Sequence, residues 1–247
     1  MLSRGFQYHK YLCPKIWNKN NQIDPLVAQA VQMMVWDFIN YLQSIGVPIA
    51  KSDILDIFLH GSITNYYWDT KSDVDIGIVA DLSRVNEWNP SGNVFIMIKS
   101  FVHSWKRTRP MKIAGRNIDI KLIDKTREYS REYWRVGPHY SVLHNRWVHV
   151  PVRLSRDELH SLSKNANSRY RVWLRQCKTI LRQDMSAEFI DAYLVDLQRV
   201  RVNAMIKNHA QPLVSGTLAF KMLRNTGIIK KMRDKSKKLQ SKTYSIY

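Results

Sequence analysis

The chain has 247 residues, of which 45% are hydrophobic and 24% are charged, and this composition excludes an intrinsically disordered protein. The length suffices for one large domain or two small ones, and no apolar run approaches the about 18 residues that span a bilayer. The N-terminal residues lack the apolar core of a signal peptide, and the two distant cysteines, Cys13 and Cys177, form no disulfide framework. We therefore expect a reduced, cytoplasmic protein that has no membrane partner.

Charge is the most pronounced feature of the composition. Lys and Arg number 39 against 20 Asp and Glu, which gives a formal net charge of +19. A field of this size favours a polyanionic partner, and nucleic acid is preferred over an anionic membrane because no basic amphipathic membrane helix stands out. The alternative is a solvated basic surface that binds no polyanion.

The first predicted element is an amphipathic helix over residues 24–46. Asp24 is a suitable N-cap, Pro25 occupies the first helical position, and Gly46 is a terminator. Apolar residues recur at steps of three and four along this segment and form one core-facing stripe: Val27, Val31, Met34, Phe38, Leu42 and Ile45.

Strands and one more helix follow in the first half of the chain. "ILDIFLHGS" (54–62) predicts a strand that ends in a Gly-Ser turn, and "DVDIGIVA" (73–80) predicts its partner strand. Residues 92–108 are apolar and long enough for a buried helix, although their β-branched content also suits a strand. "NIDIKLI" (117–123) alternates cleanly and predicts a third strand.

The second half of the chain predicts helices only. Ser155 and Glu158 form a capping box ahead of a long helix with this apolar stripe: Leu159, Leu162, Ala166, Tyr170, Trp173, Cys177 and Leu181. Basic residues cover the rest of its surface: Lys164, Arg169, Arg171, Arg175, Lys178 and Arg182. A second helix covers about 186–208, with Tyr193, Leu197, Val200 and Ala204 facing inward, and a third runs from about 216 to Asn225.

Two aspartates flank a single valine in the 73–80 strand. Alternation places Val74 on one face of the strand and both Asp73 and Asp75 on the other, about 7 Å apart at Cα. Two ionised carboxylates this close repel each other unless a cation lies between them. A carboxylate inside an apolar strand is also costly without a partner. The pattern therefore predicts a cation site.

Asp119, which lies in the 117–123 strand, is the candidate third carboxylate. It faces away from its apolar neighbours and would join the pair if the two strands are adjacent, with Asp124 as the competing residue. Few hard oxygen ligands, completed by substrate phosphates, suit Mg²⁺, or Mn²⁺ in its place. Three carboxylates on adjacent strands can hold two metals about 3.5–4 Å apart.

The Gly-Ser turn fits a phosphate-binding role. Gly61 lets the backbone approach a ligand closely, and exposed N–H groups with the Ser62 hydroxyl can cradle phosphate oxygens. Gly61 also fits an ordinary turn, and Asp73 also fits a strand-start cap after Ser72. His139, His144 and His149 repeat at five residues, which matches no single helix or strand face and disfavours a zinc site, and we expect His60 to be structural.

Together "HGS", "DVD" and "IDI", in this order and spacing, resemble the DNA polymerase beta-like nucleotidyltransferase superfamily. The resemblance covers residues 54–124. It implies an α+β fold with a small mixed sheet, triphosphate binding by Gly61 and Ser62, metal binding by Asp73 and Asp75, and Asp119 as the third carboxylate. In such enzymes the third carboxylate helps deprotonate the acceptor hydroxyl.

The sequence departs from the small antitoxin-type members of this superfamily. They place an Arg just after the Gly-Ser turn, whereas "ITNYYWDTK" stands there in this chain, which argues against that subgroup. Four residues of this loop suit either contacts with nucleotide or acceptor, or packing: Asn65, Tyr66, Tyr67 and Trp68.

The sequence pattern predicts three regions, and the resemblance implies a reaction. Residues 1–150 would form the nucleotidyltransferase domain, residues 151–228 a helical region that binds nucleic acid or another substrate, and residues 229–247 a basic, flexible tail. The expected reaction is Mg²⁺-dependent transfer of a nucleoside monophosphate from a nucleoside triphosphate to an acceptor hydroxyl. The basic helical half favours a nucleic-acid 3′ end as the acceptor, with RNA slightly preferred over DNA. Two alternatives stay open: nucleotidylation of a protein or small molecule, and a catalytically silent module of this fold that binds nucleic acid.

Overall fold

The computed structural model of the chain describes residues 7–70, 72–90, 92–109, 111–125, 137–207 and 213–244. The chain divides into two compact units. The sheet unit spans Tyr8–Arg153, and the helical unit contains the chain from Leu154 onward. Within the described ranges, no helix is both long enough and apolar enough to cross a membrane.

A mixed sheet of six strands organises the described part of the sheet unit. Its strands are β1 (Ile54–His60), β2 (Val74–Ala80), β3 (Lys112–Ile113), β4 (Arg116–Asp124), β5 (His139–Ser141) and β6 (Arg146–His149). They lie side by side in the order β3-β4-β2-β1-β5-β6. β2 and β4 are parallel, and the other neighbouring strands are antiparallel. A mixed sheet combined with helices confirms the predicted α and β composition.

Three helices accompany the sheet in the described part of this unit. They are α1 (Pro25–Ser44), α2 (Ser83–Trp88) and α3 (Val94–Thr108). The predicted start of α1 is confirmed, because the Asp24 carboxylate accepts hydrogen bonds from two backbone amides of the first turn. α3 begins after Asn93, whose side chain accepts from the Ile96 amide, so the 92–108 segment is a helix despite its β-branched residues.

Alternation along β2 and β4 gives the sheet two unlike faces. One face carries Val74, Ile76 and Ile78 from β2 and Ile118, Ile120 and Leu122 from β4. These side chains belong to the same buried core as the inward stripes of α1 and α3, where Phe38 and Trp105 meet edge to face with ring centroids 5.3 Å apart. The opposite face carries Asp75 and Asp119 and is less buried. Burial of the apolar face fixes the register, since a one-residue slip would exchange the two faces.

Only helices occur in the described residues of the helical unit from Arg156 onward. They are α4 (Arg156–Arg182), α5 (Ala187–Lys207), α6 (Ser215–Asn225) and α7 (Ile228–Tyr244). The predicted capping box at the start of α4 is confirmed, with Ser155 and Glu158 bonded reciprocally. Buried apolar residues of all four helices form one core: Cys177, Ile180, Ile190, Leu194, Leu197, Phe220, Leu223, Ile228, Ile229 and Met232.

Two expectations about the helical unit are wrong. Residues 228–244 form a helix and not a flexible tail, because Ile228, Ile229 and Met232 supply a buried apolar stripe within the basic sequence. In α5 the predicted inward face is correct at Leu197, which is buried, and at Tyr193, which packs against the core, but it is wrong at Val200. The side chain of Ala204 lies outside the described residues. Ile190 and Leu194 are buried, whereas Val200 is 39% exposed.

Candidate active site

Two of the three predicted carboxylates are direct neighbours in the sheet. Asp75 of β2 and Asp119 of β4 are register partners in the parallel pair, so their side chains lie on the same face at a Cα separation of about 4.8 Å. Asp124, the competing third acid, belongs to the opposite face, where it is buried and accepts a hydrogen bond from Asn86. The structure therefore brings Asp119, and not Asp124, beside Asp75.

The Gly-Ser turn lies against this carboxylate pair. β1 ends at His60, the register partner of Asp75, and Gly61 opens a short 3-10 turn that also contains Ser62. Gly61 has φ +83°, and a Cβ atom added there would lie 2.1 Å from the Asp75 Oδ2 atom. Glycine is favoured at this position for two reasons: the left-handed backbone and the close approach of the Asp75 carboxylate.

Hydrogen bonds hold the Gly-Ser turn in place. The Gly61 carbonyl accepts from the Asn65 side chain at 2.7 Å and from the Thr64 hydroxyl at 2.9 Å. Thr64 and Asn65 are both buried. These hydrogen bonds from buried side chains fix the conformation of the turn beside Asp75.

Asp73 is exposed and lies just before the first residue of β2. The alternation of buried and less buried residues along β2 therefore extends back to Asp73. It lines a cavity of about 370 Å³ together with Asp119. The other described residues that line this cavity are Lys106, Arg109, Met111, Asn117 and Ile118. Asp73 and Asp119 therefore face one space, and two cationic side chains share it.

Two lysines engage Asp119. Lys106 from α3 lies 3.6 Å from one carboxylate oxygen, and Lys121 from β4 lies 3.9 Å from the other. Both contacts are longer than a good charge-assisted hydrogen bond, and the Asp119 side chain is 45% exposed. The carboxylate thus stays accessible to a ligand, in a locally positive environment.

A histidine cluster borders the turn on the side away from Asp119. Burial lowers the pKa of His60 to about 3, and the positive charge of Lys121 and the proximity of His139 act in the same direction, so His60 is neutral at physiological pH. The rings of His139 and His149 lie with centroids 4.8 Å apart, because the β5–β6 hairpin pairs these two residues. Sequence spacing did not predict this proximity, since it depends on a hairpin too short to read from the sequence.

The aromatic loop after the turn packs against the protein. Tyr66 and Tyr67 are 5% and 6% exposed, and the Trp68 ring stacks on His9 with centroids 3.8 Å apart. Of the two roles open for this loop, the structure supports packing.

Arg116 anchors the end of the same loop and was not identified from the sequence. Its guanidinium is buried and donates to the carbonyls of Asp69 at 2.7 Å and Ser72 at 2.8 Å. Ser72 directly precedes Asp73, and Arg116 lies three residues before Asp119 on β4. The arginine therefore ties the loop that carries one candidate carboxylate to the strand that carries another.

Lys106, Lys121 and Arg109 were also missed, for different reasons. Lys121 lies two residues after Asp119 on β4, so strand alternation places both side chains on the same face. The sequence therefore contained a signal for Lys121. Lys106 and Arg109 reach the site only because α3 packs beside β4, and no local pattern shows that packing.

The donor set on this sheet face suits a divalent ion. Carboxylate oxygens on one face suit Mg²⁺ or Mn²⁺, and the register pairing of Asp75 with Asp119 provides two such donors side by side. In the described part of the chain, no three His, Cys, Asp or Glu side chains are gathered closely enough to form a metal-binding group. The donor chemistry fits, and the three-carboxylate metal set stays a prediction.

Comparisons with protein-family models, with curated proteins and with solved structures found no match to this chain.

Proposed function

We propose that the sheet unit transfers a nucleoside monophosphate from a nucleoside triphosphate to an acceptor hydroxyl. The observation that carries this proposal is the register pairing of Asp75 with Asp119 on one sheet face, with Gly61 packed against Asp75. Isolated aspartates in a strand are common, but two neighbouring carboxylates beside a glycine turn can bind a divalent ion and a phosphate group together. The resemblance to polymerase beta-like nucleotidyltransferases implies the same reaction.

Each side chain has a role in this reaction. Lys106 borders the cavity of Asp73 and Asp119 and would bind the oxygens of the triphosphate, together with the turn at Gly61 and Ser62. Asp119 would accept the proton of the acceptor hydroxyl. The oxygen of that hydroxyl would form a bond to the α-phosphorus while the bond from the α-phosphorus to pyrophosphate breaks. Asp73, Asp75 and Asp119 would hold Mg²⁺ or Mn²⁺, which when bound supplies Lewis-acid stabilisation of the triphosphate charge.

The proposed acceptor is the 3′ end of a nucleic acid, RNA in preference to DNA. A net charge of +19 favours a polyanionic substrate. The outer surface of α4 carries exposed basic side chains at Lys164, Arg169, Arg171, Arg175, Lys178 and Arg182. A small-molecule acceptor has no need of such a surface.

Product analysis tests this proposal. The full-length protein is incubated with each of the four labelled nucleoside triphosphates and total RNA in Mg²⁺ or Mn²⁺, and the products are identified by mass spectrometry. We expect RNA lengthened by nucleotides. Asp75→Asn and Asp119→Asn should each lower the rate at least about 100-fold, whereas the control Asp184→Asn, an exposed residue in the loop before α5, should retain it.

One observation favours a second candidate, the catalytically silent nucleic-acid-binding module. Lys106 and Lys121 already provide positive charge at Asp119, as structural ion pairs would. If this candidate is correct, the wild-type protein binds RNA and labels neither RNA, DNA nor polypeptide, and the two Asn variants bind RNA as tightly as wild type. Label on the polypeptide would instead identify a protein acceptor.

A further inference from the structure

A groove runs along the outer edge of β4, between that strand and α3. Its volume is about 650 Å³, and one end of it reaches Asp119. β3 pairs with β4 only at Arg116 and Asn117, so among the described strands nothing covers this edge of β4 further along. We call this feature the α3–β4 groove.

Basic side chains dominate the polar lining of the α3–β4 groove. They are Lys99, His103, Lys106, Arg107 and Lys121, and among the described lining residues Asp119 alone is acidic. Lys106 and Lys121 pair with Asp119. Lys99 and Arg107 are exposed, and within the described residues no carboxylate oxygen lies within 4.0 Å of either. The groove thus carries an excess of positive charge that the described protein does not neutralise.

Apolar side chains line the same groove. Ile98, Val102, Ile120 and Leu122 contribute buried surface, and Phe95 at the far end is 57% exposed. An exposed aromatic ring one helical turn from Lys99 can act as a stacking platform next to a phosphate-binding group. Single-stranded nucleic acid is the ligand that offers both flat apolar bases and a regularly charged backbone.

The groove also has a direction. Phe95 and Arg107 are twelve residues apart on α3, which corresponds to about 18 Å along the helix axis. Lys106, in the last turn of α3, contacts Asp119, so the candidate catalytic carboxylate lies at one end of the groove and Phe95 at the other. At about 3.4 Å per stacked nucleotide, this distance accommodates about five nucleotides.

We propose that the α3–β4 groove binds the terminal nucleotides of a single-stranded nucleic acid, with the end of the strand at Asp119 and the preceding nucleotides extending toward Phe95. The assignment of the reacting end to Asp119 rests on the proposed function. The binding of a single strand rests on the groove alone. The sheet unit would then hold the acceptor end itself, and the basic helical unit would not be its only binding surface.

The first test is photo-crosslinking of the full-length protein. The probes are 12-nucleotide RNAs that carry 4-thiouridine either at the third position from the 3′ end or at the 5′ end. We expect the first probe to crosslink to the peptide that contains residues 93–108 and the second to crosslink elsewhere. Crosslinks of the first probe that are confined to the helical unit would overturn the proposal.

A matched pair of double variants provides the second test. Lys99→Ala with Arg107→Ala removes two groove cations that lie outside the candidate active site, and Lys15→Ala with Lys19→Ala removes two exposed cations of the same unit outside the groove. The groove variant should bind the RNA at least about fivefold more weakly. The slope of log K against log salt should fall by about 1.4, since each lost contact with a single strand contributes about 0.7. The control variant should bind as wild type does.

The outcomes separate this proposal from the proposed function. Groove-dependent RNA binding without nucleotide transfer supports the groove and overturns the reaction. Nucleotide transfer with unchanged RNA binding and unchanged KM for RNA in the groove variant overturns the groove and leaves the reaction standing. Circular dichroism of both double variants establishes that they are folded, so a loss of binding in the groove variant alone is assigned to the groove.

Discussion

At the scale of single residues, Gly61 and Asp75 define the geometry of the candidate site. The glycine has a left-handed backbone, and a Cβ atom added to it would overlap the Asp75 carboxylate, which would have to move. The carboxylate is in turn fixed by its strand, since β2 is paired on both sides. A substitution of Gly61 therefore displaces the Asp75 carboxylate as well as straining the backbone of the turn.

Gly61→Ala should destabilise the protein more than a glycine substitution that costs only backbone strain. Gly115→Ala is the matched control, because Gly115 has φ +77° and the space that an alanine methyl group would occupy there is open to 4 Å. The control should lose about 1–2 kcal/mol from the left-handed backbone alone. Gly61→Ala should lose a further amount of about 1–3 kcal/mol from steric overlap with Asp75. Urea unfolding measures both values, and equal losses would contradict the close contact.

Arg116→Met should destabilise the sheet unit by about 1–3 kcal/mol, because two loop carbonyls at Asp69 and Ser72 lose their buried donor. Arg146→Met, at an exposed position of β6, is the control and should change the free energy of unfolding by less than about 0.5 kcal/mol. Thermal unfolding of both variants is the measurement. A variant at residue 116 as stable as the control would show that Arg116 does not anchor the loop.

Residue-level prediction was strongest where strand alternation decides the direction of a side chain. The shared face of Asp75 and Asp119 follows from alternation once the two strands are adjacent. The cationic surroundings of Asp119 do not follow, because Lys106 reaches it from a helix whose packing depends on the whole core. Arg116 has no local signal, since its partners are carbonyls more than 40 residues away in sequence.

At the scale of elements, α7 shows how a basic segment can be ordered. Its buried positions Ile229, Met232 and Ser236 recur at steps of three and four, while most of its charged residues are exposed. Lys235 also donates three hydrogen bonds to the carbonyl groups at the end of α4, at Ile180, Leu181 and Gln183. The density of like charges alone suggested a flexible tail. Burial of the apolar stripe stabilises the helix by more than the repulsion between those charges destabilises it.

Lys235→Met should destabilise the helical unit by about 1–2 kcal/mol, because the last carbonyl groups of α4 lose a cationic donor. Lys237→Met, two residues along and exposed, is the control that removes the same charge without touching α4. Guanidinium unfolding followed by far-ultraviolet circular dichroism compares the two variants. Equal stability of both would contradict the capping role of Lys235.

Long elements were predictable from the sequence and short ones were not. α1 and α4 have apolar stripes over several turns together with recognisable N-caps at Asp24 and Ser155, so their starts were correct. β3, β5 and β6 have only two to four residues, which is too few for a period of two to be distinguished from chance.

At the scale of the whole molecule, positive charge is the dominant property. Basic side chains are exposed on α4 and along α3, which belong to different units. Composition made this excess evident, but the gathering of α3 cations beside an acidic site could be seen only in the folded chain. Electrostatic attraction to phosphates follows from the charge and does not require any particular fold.

RNA binding by the full chain should therefore depend strongly on salt. With at least four phosphate contacts at about 0.7 each, affinity should fall at least about 50-fold between about 50 and about 200 mM salt. Fluorescence anisotropy with a labelled 12-nucleotide RNA measures this directly. Affinity that is unchanged across this range would contradict an electrostatic interface.

The central claim is that Asp75 and Asp119 gather a divalent ion at the triphosphate. The most direct measurement is the anomalous difference density of crystals grown with Mn²⁺ and a non-hydrolysable nucleoside triphosphate. We predict a manganese peak in contact with both carboxylates and with triphosphate oxygens, and its loss in Asp75→Asn crystals. A triphosphate bound away from these two residues, with Lys106 and Lys121 still paired to Asp119 and no manganese between the carboxylates, would contradict the claim.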